Sequence, residues 1–206
     1  NIATANATTP AGTNVSDPST DGTDPDADGD NTDGSTDNDN DPNENTPTPI
    51  TIPETPELGV ATAASAPVNN GDGTYTVTYT VTVENLGNVD LSNTQIALPF
   101  TSGTTPFTAT QVESATITGT TGGLTQSGTY DGETNNNLLS GTNGLPVGGS
   151  GTITISVVVR PGSDLGSATN PYEHNATGTA TSPNSTTADN VTDVSQDGAD
   201  TDPDTA

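Results

Sequence analysis

The chain has 206 residues, of which 27 are Asp or Glu and one is Lys or Arg, so its formal net charge is −26. A single basic residue leaves almost no means of neutralising phosphates, which argues against nucleic acid and anionic membrane surfaces as partners. With 26% hydrophobic and 3% aromatic residues, one core running through the whole chain is excluded; a single core of about 100–150 residues flanked by polar segments fits.

The absence of Cys rules out a disulfide framework and thiolate metal sites. The absence of Lys rules out Lys–Asn isopeptide staples. No stretch approaches 18 apolar residues, so no membrane insertion is expected. No signal peptide is expected within these residues, and a chain that opens at Asn1 rather than Met is expected to be a processed product or a window on a longer chain.

The acid is not spread evenly. Thirteen carboxylates fall between Asp17 and Glu57, six between Asp189 and Asp204, and eight elsewhere. In chain order, residues 1–13 come first and carry one half of an internal repeat. Ala3–Pro10 (ATANATTP) matches Ala176–Pro183 (ATGTATSP) at an offset of 173. Asn14–Asp24 (NVSDPSTDGTD) matches Asn190–Asp200 (NVTDVSQDGAD) at an offset of 176. Residues 1–13 are therefore expected to be a trailing strand, equivalent to the end of a preceding repeat. Residues 14–57 then read as an Asp/Asn/Thr/Pro-rich linker, too polar to offset its ordering entropy by burial. Its last stretch, Thr46–Pro56, reads as an extended, polyproline-like connector.

Strand signals fill residues 58–183. Leu58–Ala64 begins them. Thr74–Val83 alternates strictly, placing Tyr75, Val77, Tyr79, Val81 and Val83 on one face and Thr on the other. Weaker strands are expected at Leu91–Leu98, Phe107–Glu113 and Ala115–Thr118. Thr152–Val159 alternates again, with Ile153, Ile155, Val157 and Val159 inward, and His174–Thr181 closes the set. No segment has a helical period. The fold class expected is all-β, an immunoglobulin-like antiparallel β-sandwich of about seven strands. Residues 184–206 read as the start of the next acidic linker.

Tyr75-Thr-Val-Thr-Tyr-Thr-Val-Thr-Val-Glu-Asn-Leu-Gly-Asn88 resembles a stretch of the bacterial cell-surface β-sandwich repeats known as domain of unknown function eleven. Gly149–Val159, Asn175–Thr181 and Val191–Gly198 resemble that family's later strand, closing strand and connector. The resemblance covers roughly residues 57–204. It implies a stalk or repeat module of a secreted or surface-anchored protein, often an adhesin, with no catalysis.

Asp24-Pro-Asp-Ala-Asp-Gly-Asp30 is the densest constellation. Carboxylates at alternating positions around a turn-forming Gly can wrap one hard cation, and an all-oxygen donor set selects calcium over zinc. Asp24, Asp26, Asp28 and Asp30 are the expected ligands. Asp33, Asp37, Asp39 and Asp41 offer a second ion, and Asp17 and Asp21, with counterparts Asp193 and Asp197, would add ligands at a junction. Ser35 stands where an EF-hand loop needs its bidentate Glu, and the loop is more similar to those of thrombospondin type 3 repeats. Asn6, Asn14, Asn175, Asn184 and Asn190 open N-glycosylation sequons, and Thr46, Thr48, Thr51 and Thr55 are O-glycan candidates.

Arg160 is expected to pair with Glu84 or Glu173. His174 stands alone, and the Asp131/Glu133 carboxylates have no sugar cleft signalled around them, so no enzyme is expected. The function expected is that of a structural repeat in an extracellular filament or bacterial surface stalk. Its partners would be identical neighbours, head to tail, through a covalent array or strand exchange; a module binding glycans is the alternative.

Overall fold

The computed structural model describes residues 4–18, 50–102, 107–161 and 172–201. They fall into two units, residues 1–53 and 54–206. The first contains a hairpin, β1 (Thr4–Thr8) with β2 (Asn14–Pro18), closed by a turn in which the Thr9 and Thr13 backbones bond each other.

The second unit is an antiparallel-rich β-sandwich with strands β3 (Leu58–Ala64), β4 (Val68–Asn69), β5 (Tyr75–Asn85), β6 (Ser92–Ala97), β7 (Val112–Thr120), β8 (Ser150–Val159), β9 (Thr177–Thr181), β10 (Val191–Val194) and β11 (Gln196–Asp197). One sheet runs β11-β3-β5-β8-β7, with β4 also on β5; the other runs β10-β9-β6. All pairings are antiparallel except β11 with β3, which is parallel.

The centre is β5 against β8, the two strands whose alternation is strictest. Their register sets Val77 opposite Val157, Tyr79 opposite Ile155 and Val81 opposite Ile153, all buried. The Thr faces of these strands are half-buried or exposed. Leu58, Val60, Ile96, Leu98, Phe100 and Leu138 complete the core. The open edge of β6 is covered by the irregular segment 136–145, whose backbone bonds Leu98, Ile96, Thr94 and Leu91 in turn. Within β6 the register shifts between Ser92 and Gln95, and Asn93 takes the left-handed conformation there (φ 52°), which Asn tolerates.

Three expectations change. Phe107–Glu113 and Ala115–Thr118 are not two strands: β7 is one, and Phe107 lies before it, bonded to the Phe100 carbonyl. The linker does not begin at residue 14, because β2 occupies Asn14–Pro18. The sandwich does not end at residue 183, because β10 extends one sheet and β11 the other. The apolar signal there is a single buried residue, Val191, so the segment reads as acidic linker while it is held by backbone pairing.

Candidate functional site

Both ends of the sandwich chain lie at the same end of the module. On entry, the backbones of Thr55 and Asn88 and of Glu57 and Leu86 bond, and the Asn88 side chain accepts the Thr55 amide at 2.7 Å. Asn85, buried, builds the loop that receives them. Its amide donates to the Val89 and Leu145 carbonyls at 2.8 and 2.9 Å, and its oxygen accepts the Gly87 amide at 3.0 Å. A side chain at Gly87 would stand 2.5 Å from the Thr55 carbonyl oxygen, so only Gly lets the incoming backbone pack. The Asn85-Leu-Gly-Asn88 stretch is thus a receptor for the incoming linker.

On exit, β10 and β11 step from one sheet to the other across β3. The Asp193 carboxylate accepts the buried Val60 amide at 2.7 Å. Beyond β11 the chain turns back, and Thr201 donates its hydroxyl to Glu84 at 2.9 Å. A Cβ at Gly59 would lie 2.8 Å from the Thr201 carbonyl oxygen, which places the outgoing chain on the first strand, two residues from where the incoming one docks.

The hairpin at residues 4–18 reproduces the β9–β10 pairing. Thr4 faces Pro18, Ala5 faces Asp17, Asn6 faces Ser16 and Ala7 faces Val15. With the two sequence offsets, these become Thr177–Val194, Gly178–Asp193, Thr179–Thr192 and Ala180–Val191, the four pairs of β9 with β10.

Of the calcium ligands expected from the sequence, Asp21, Asp24, Asp26, Asp28, Asp30, Asp33, Asp37, Asp39 and Asp41 lie outside the described residues, as do Thr46 and Thr48. Asp17 is described as a β2 residue. Asp193, its counterpart, spends a carboxylate oxygen on the Val60 amide, and Asp197 lies in β11. Among the described residues no three His, Asp or Glu side chains are grouped to hold a metal.

The five sequon asparagines and Thr51 and Thr55 are exposed. Asn190 is nevertheless engaged at both ends of its amide, donating to the Ser182 hydroxyl and accepting the Ser182 backbone amide, each at 2.9 Å. Asn175 donates to the Ser195 carbonyl at 3.3 Å, and Asn184 donates to Glu54.

Arg160 pairs with Glu113 at 2.5 Å and donates to the Asp72 carbonyl at 2.8 Å. The expected partner Glu84 is at the wrong end of the sheet. Register sets it opposite Ser150, at the start of β8, whereas Arg160 follows the end of that strand. The Asp131 carboxylate accepts the amides of Glu133, Thr134 and Asn135 at 2.8–2.9 Å and the Thr134 hydroxyl, and these bonds hold it well below the usual carboxylate range. It organises its own turn.

His174 is the residue whose environment sequence reasoning missed. Its ring stacks on Phe107 (centroids 5.0 Å) and meets Phe100 edge-on (5.1 Å), with both ring nitrogens buried and unbonded. Burial lowers its pKa to about 4. Of the aromatics outside the core strand, Phe100, Phe107 and Tyr130 are buried, and Tyr172 is half-buried against Phe107. A cleft of about 490 Å³ beside this cluster is lined by Thr62, Tyr79, Tyr172, Glu173, Asn175 and Asp197, among others.

No protein-family model matches the chain, and none of the curated proteins compared with it matches. Among the described residues no helix is long and apolar enough to cross a membrane.

Proposed function

We propose that this chain is a structural repeat unit of an extracellular filament or surface stalk, in which β-sandwich modules are strung on Asp-rich linkers stiffened by calcium. The observation that carries this reading is the double occurrence of one hairpin, in one register, at residues 4–18 and 177–194. A chain that holds one complete sandwich and a second copy of its closing hairpin has the organisation of a tandem array.

The joint geometry sharpens the reading. Because entry at Thr55–Glu57 and exit at Thr201 share one end of the module, the sandwich adds little to the length of the array. Spacing is set by the linker. As a relaxed coil, ~30 linker residues would span ~30 Å, and like-charge repulsion would lengthen that. Ten Asp residues between Asp17 and Asp41 provide the repulsion, and calcium bound among them would remove it. Denaturing electrophoresis of native material tests the array directly. A species far above 20.5 kDa is expected; a band at the mass of this chain would contradict a covalent array.

An adhesive module is the second reading. The cleft beside Tyr172 and Glu173 favours it, because a half-buried ring next to carboxylate and amide groups is chemistry that holds sugars. A glycan-array screen separates the two.

A further inference from the structure

We propose that residues 4–18 form a docking hairpin that completes the sandwich of a neighbouring module of the same kind, and that this neighbour is not identical to the module described above. The proposal rests on the repeat reading and goes further, because it assigns the contacts and discriminates between the two modes of assembly.

In the sandwich, β9 and β10 close the core along β3 and β6. Ala176, Ala180 and Val191 are buried, and Gly178 faces Val60, Leu58 and Ile96. The Asp193 carboxylate takes the β3 amide of Val60. The N-terminal hairpin carries the same set at the same register positions: Ala7 for Ala180, Val15 for Val191 and Asp17 for Asp193. In this chain Ala5 and Ala7 are exposed. Pro18 stands at the position of Val194, on β10, an edge strand, where a residue without an amide proton is tolerated. A small-residue hairpin with a carboxylate at the one position that answers a strand amide matches a slot of β3–β6 type.

One position does not match a slot identical to this module's own. Ala5 stands where β9 has Gly178, and a Cβ on Gly178 would lie 2.6 Å from Val60 Cγ2 and 2.9 Å from Leu58 Cδ2. Neither the valine methyl nor the backbone can yield that much in a packed core without loss. The Leu58 Cδ2 contact is with the end of a flexible side chain that can turn aside, so the module that receives residues 4–18 is inferred to have a residue smaller than Val at the position of Val60. This favours a covalent array of diverged repeats and disfavours strand exchange between identical subunits.

The test transplants the hairpin within the full chain, replacing residues 177–194 by residues 4–18, and follows thermal unfolding by circular dichroism. The transplanted chain is expected to melt cooperatively. Asp17→Ala in the transplanted hairpin should lower its Tm, as Asp193→Ala does in the parent. Val60→Ala should lower the Tm of the parent and raise that of the transplant. Loss of cooperative melting both with and without Val60→Ala would overturn the docking assignment. A Val60→Ala effect of the same sign in both backgrounds would overturn the diverged neighbour. So would sedimentation showing the full parent chain self-associating at micromolar concentration through contacts that Asp17→Ala abolishes. A very large native polypeptide together with a transplant that fails to fold would leave the repeat reading standing and overturn this inference alone.

Discussion

The carboxylate of Asp193 accepts the backbone amide of Val60 at 2.7 Å, joining the last strand of one sheet to the first strand of the other. The bond is the chemical latch of the sandwich, because it occupies a buried donor on β3 where the short parallel pairing with β11 has not yet begun. Asp193→Ala removes the acceptor and leaves the amide buried without a partner, at a cost of about 1–3 kcal/mol. Asp193→Asn keeps an acceptor and should cost less. Urea unfolding monitored by circular dichroism reads both.

Gly178 and Gly87 are two positions, one in the core and one at the joint, where a methyl group would stand well inside contact distance of its neighbours. At Gly178 it meets Val60 Cγ2 at 2.6 Å, inside the core. At Gly87 it meets the Thr55 carbonyl oxygen and the Glu57 amide at 2.5 and 2.6 Å, at the joint. Gly178→Ala should therefore lower global stability, by about 1–3 kcal/mol. Gly87→Ala should release residues 55–57, seen as faster amide exchange at Leu86 and Asn88, whose backbone donors bond that segment. Equal exchange rates in variant and parent would contradict the docking of the linker on this loop.

The pH dependence of stability separates into two windows. His174 has an ordinary pKa of 6.5 and a folded value of about 4, through burial. Between those values the unfolded chain binds more protons than the folded one, so stability is full above pH 6.5 and falls as the pH drops towards 4. The part-buried ring limits the effect to ~2 kcal/mol. Hydrogen bonds from Thr74 to Asp72, and from Thr134 and its neighbours to Asp131, lower both carboxyls from 3.8. Their contribution is present above that value and is lost only in more acid solution. His174→Phe should flatten the upper limb and leave the lower one; parallel pH profiles for variant and parent would contradict the assignment.

Sequon use should follow hydrogen bonding. The Asn190 amide is committed to Ser182 in both directions and the Asn175 amide to the Ser195 carbonyl. Asn6 is exposed in β1, at the position of the half-buried, non-core Thr179. Peptide mapping of native material should find Asn190 unmodified, and any N-glycan of the hairpin on Asn6 rather than on Asn14, whose amide oxygen accepts the Thr8 hydroxyl at 2.8 Å. A glycan on Asn190 would contradict the turn between β9 and β10.

The sandwich was legible where side-chain alternation and burial coincide. Tyr75–Val83 and Thr152–Val159 declare both their strand character and their inward faces, and the structure pairs them at its centre. It was not legible where backbone pairing acts without apolar side chains. Val191-Thr-Asp-Val194 contributes one buried residue, and its Asp193 looks like a linker carboxylate until Val60 is seen beside it. Leu138, Leu139 and Leu145 escape for the opposite reason: they are core residues on an irregular segment that has no period. Of the joint, Asn85, Gly87 and Asn88 were visible as a motif, but their role as the receptor of Thr55–Glu57 depends on contacts 30 residues apart. Asp193 was read as an accessory calcium ligand, and a sequence does not reveal which carboxylate is already spent on a neighbouring strand. The offset match could have found β2 and β10, since the residues aligned by it are the ones that pair.

In the proposed array, acidic linkers space the modules and calcium would govern the spacing. Small-angle X-ray scattering of the full chain, with calcium and again with excess EDTA, tests it most directly. A larger radius of gyration is expected in EDTA, as ten uncompensated Asp residues between Asp17 and Asp41 repel, with contraction to a fixed value on addition of calcium. Superimposable scattering curves in the two conditions would contradict it.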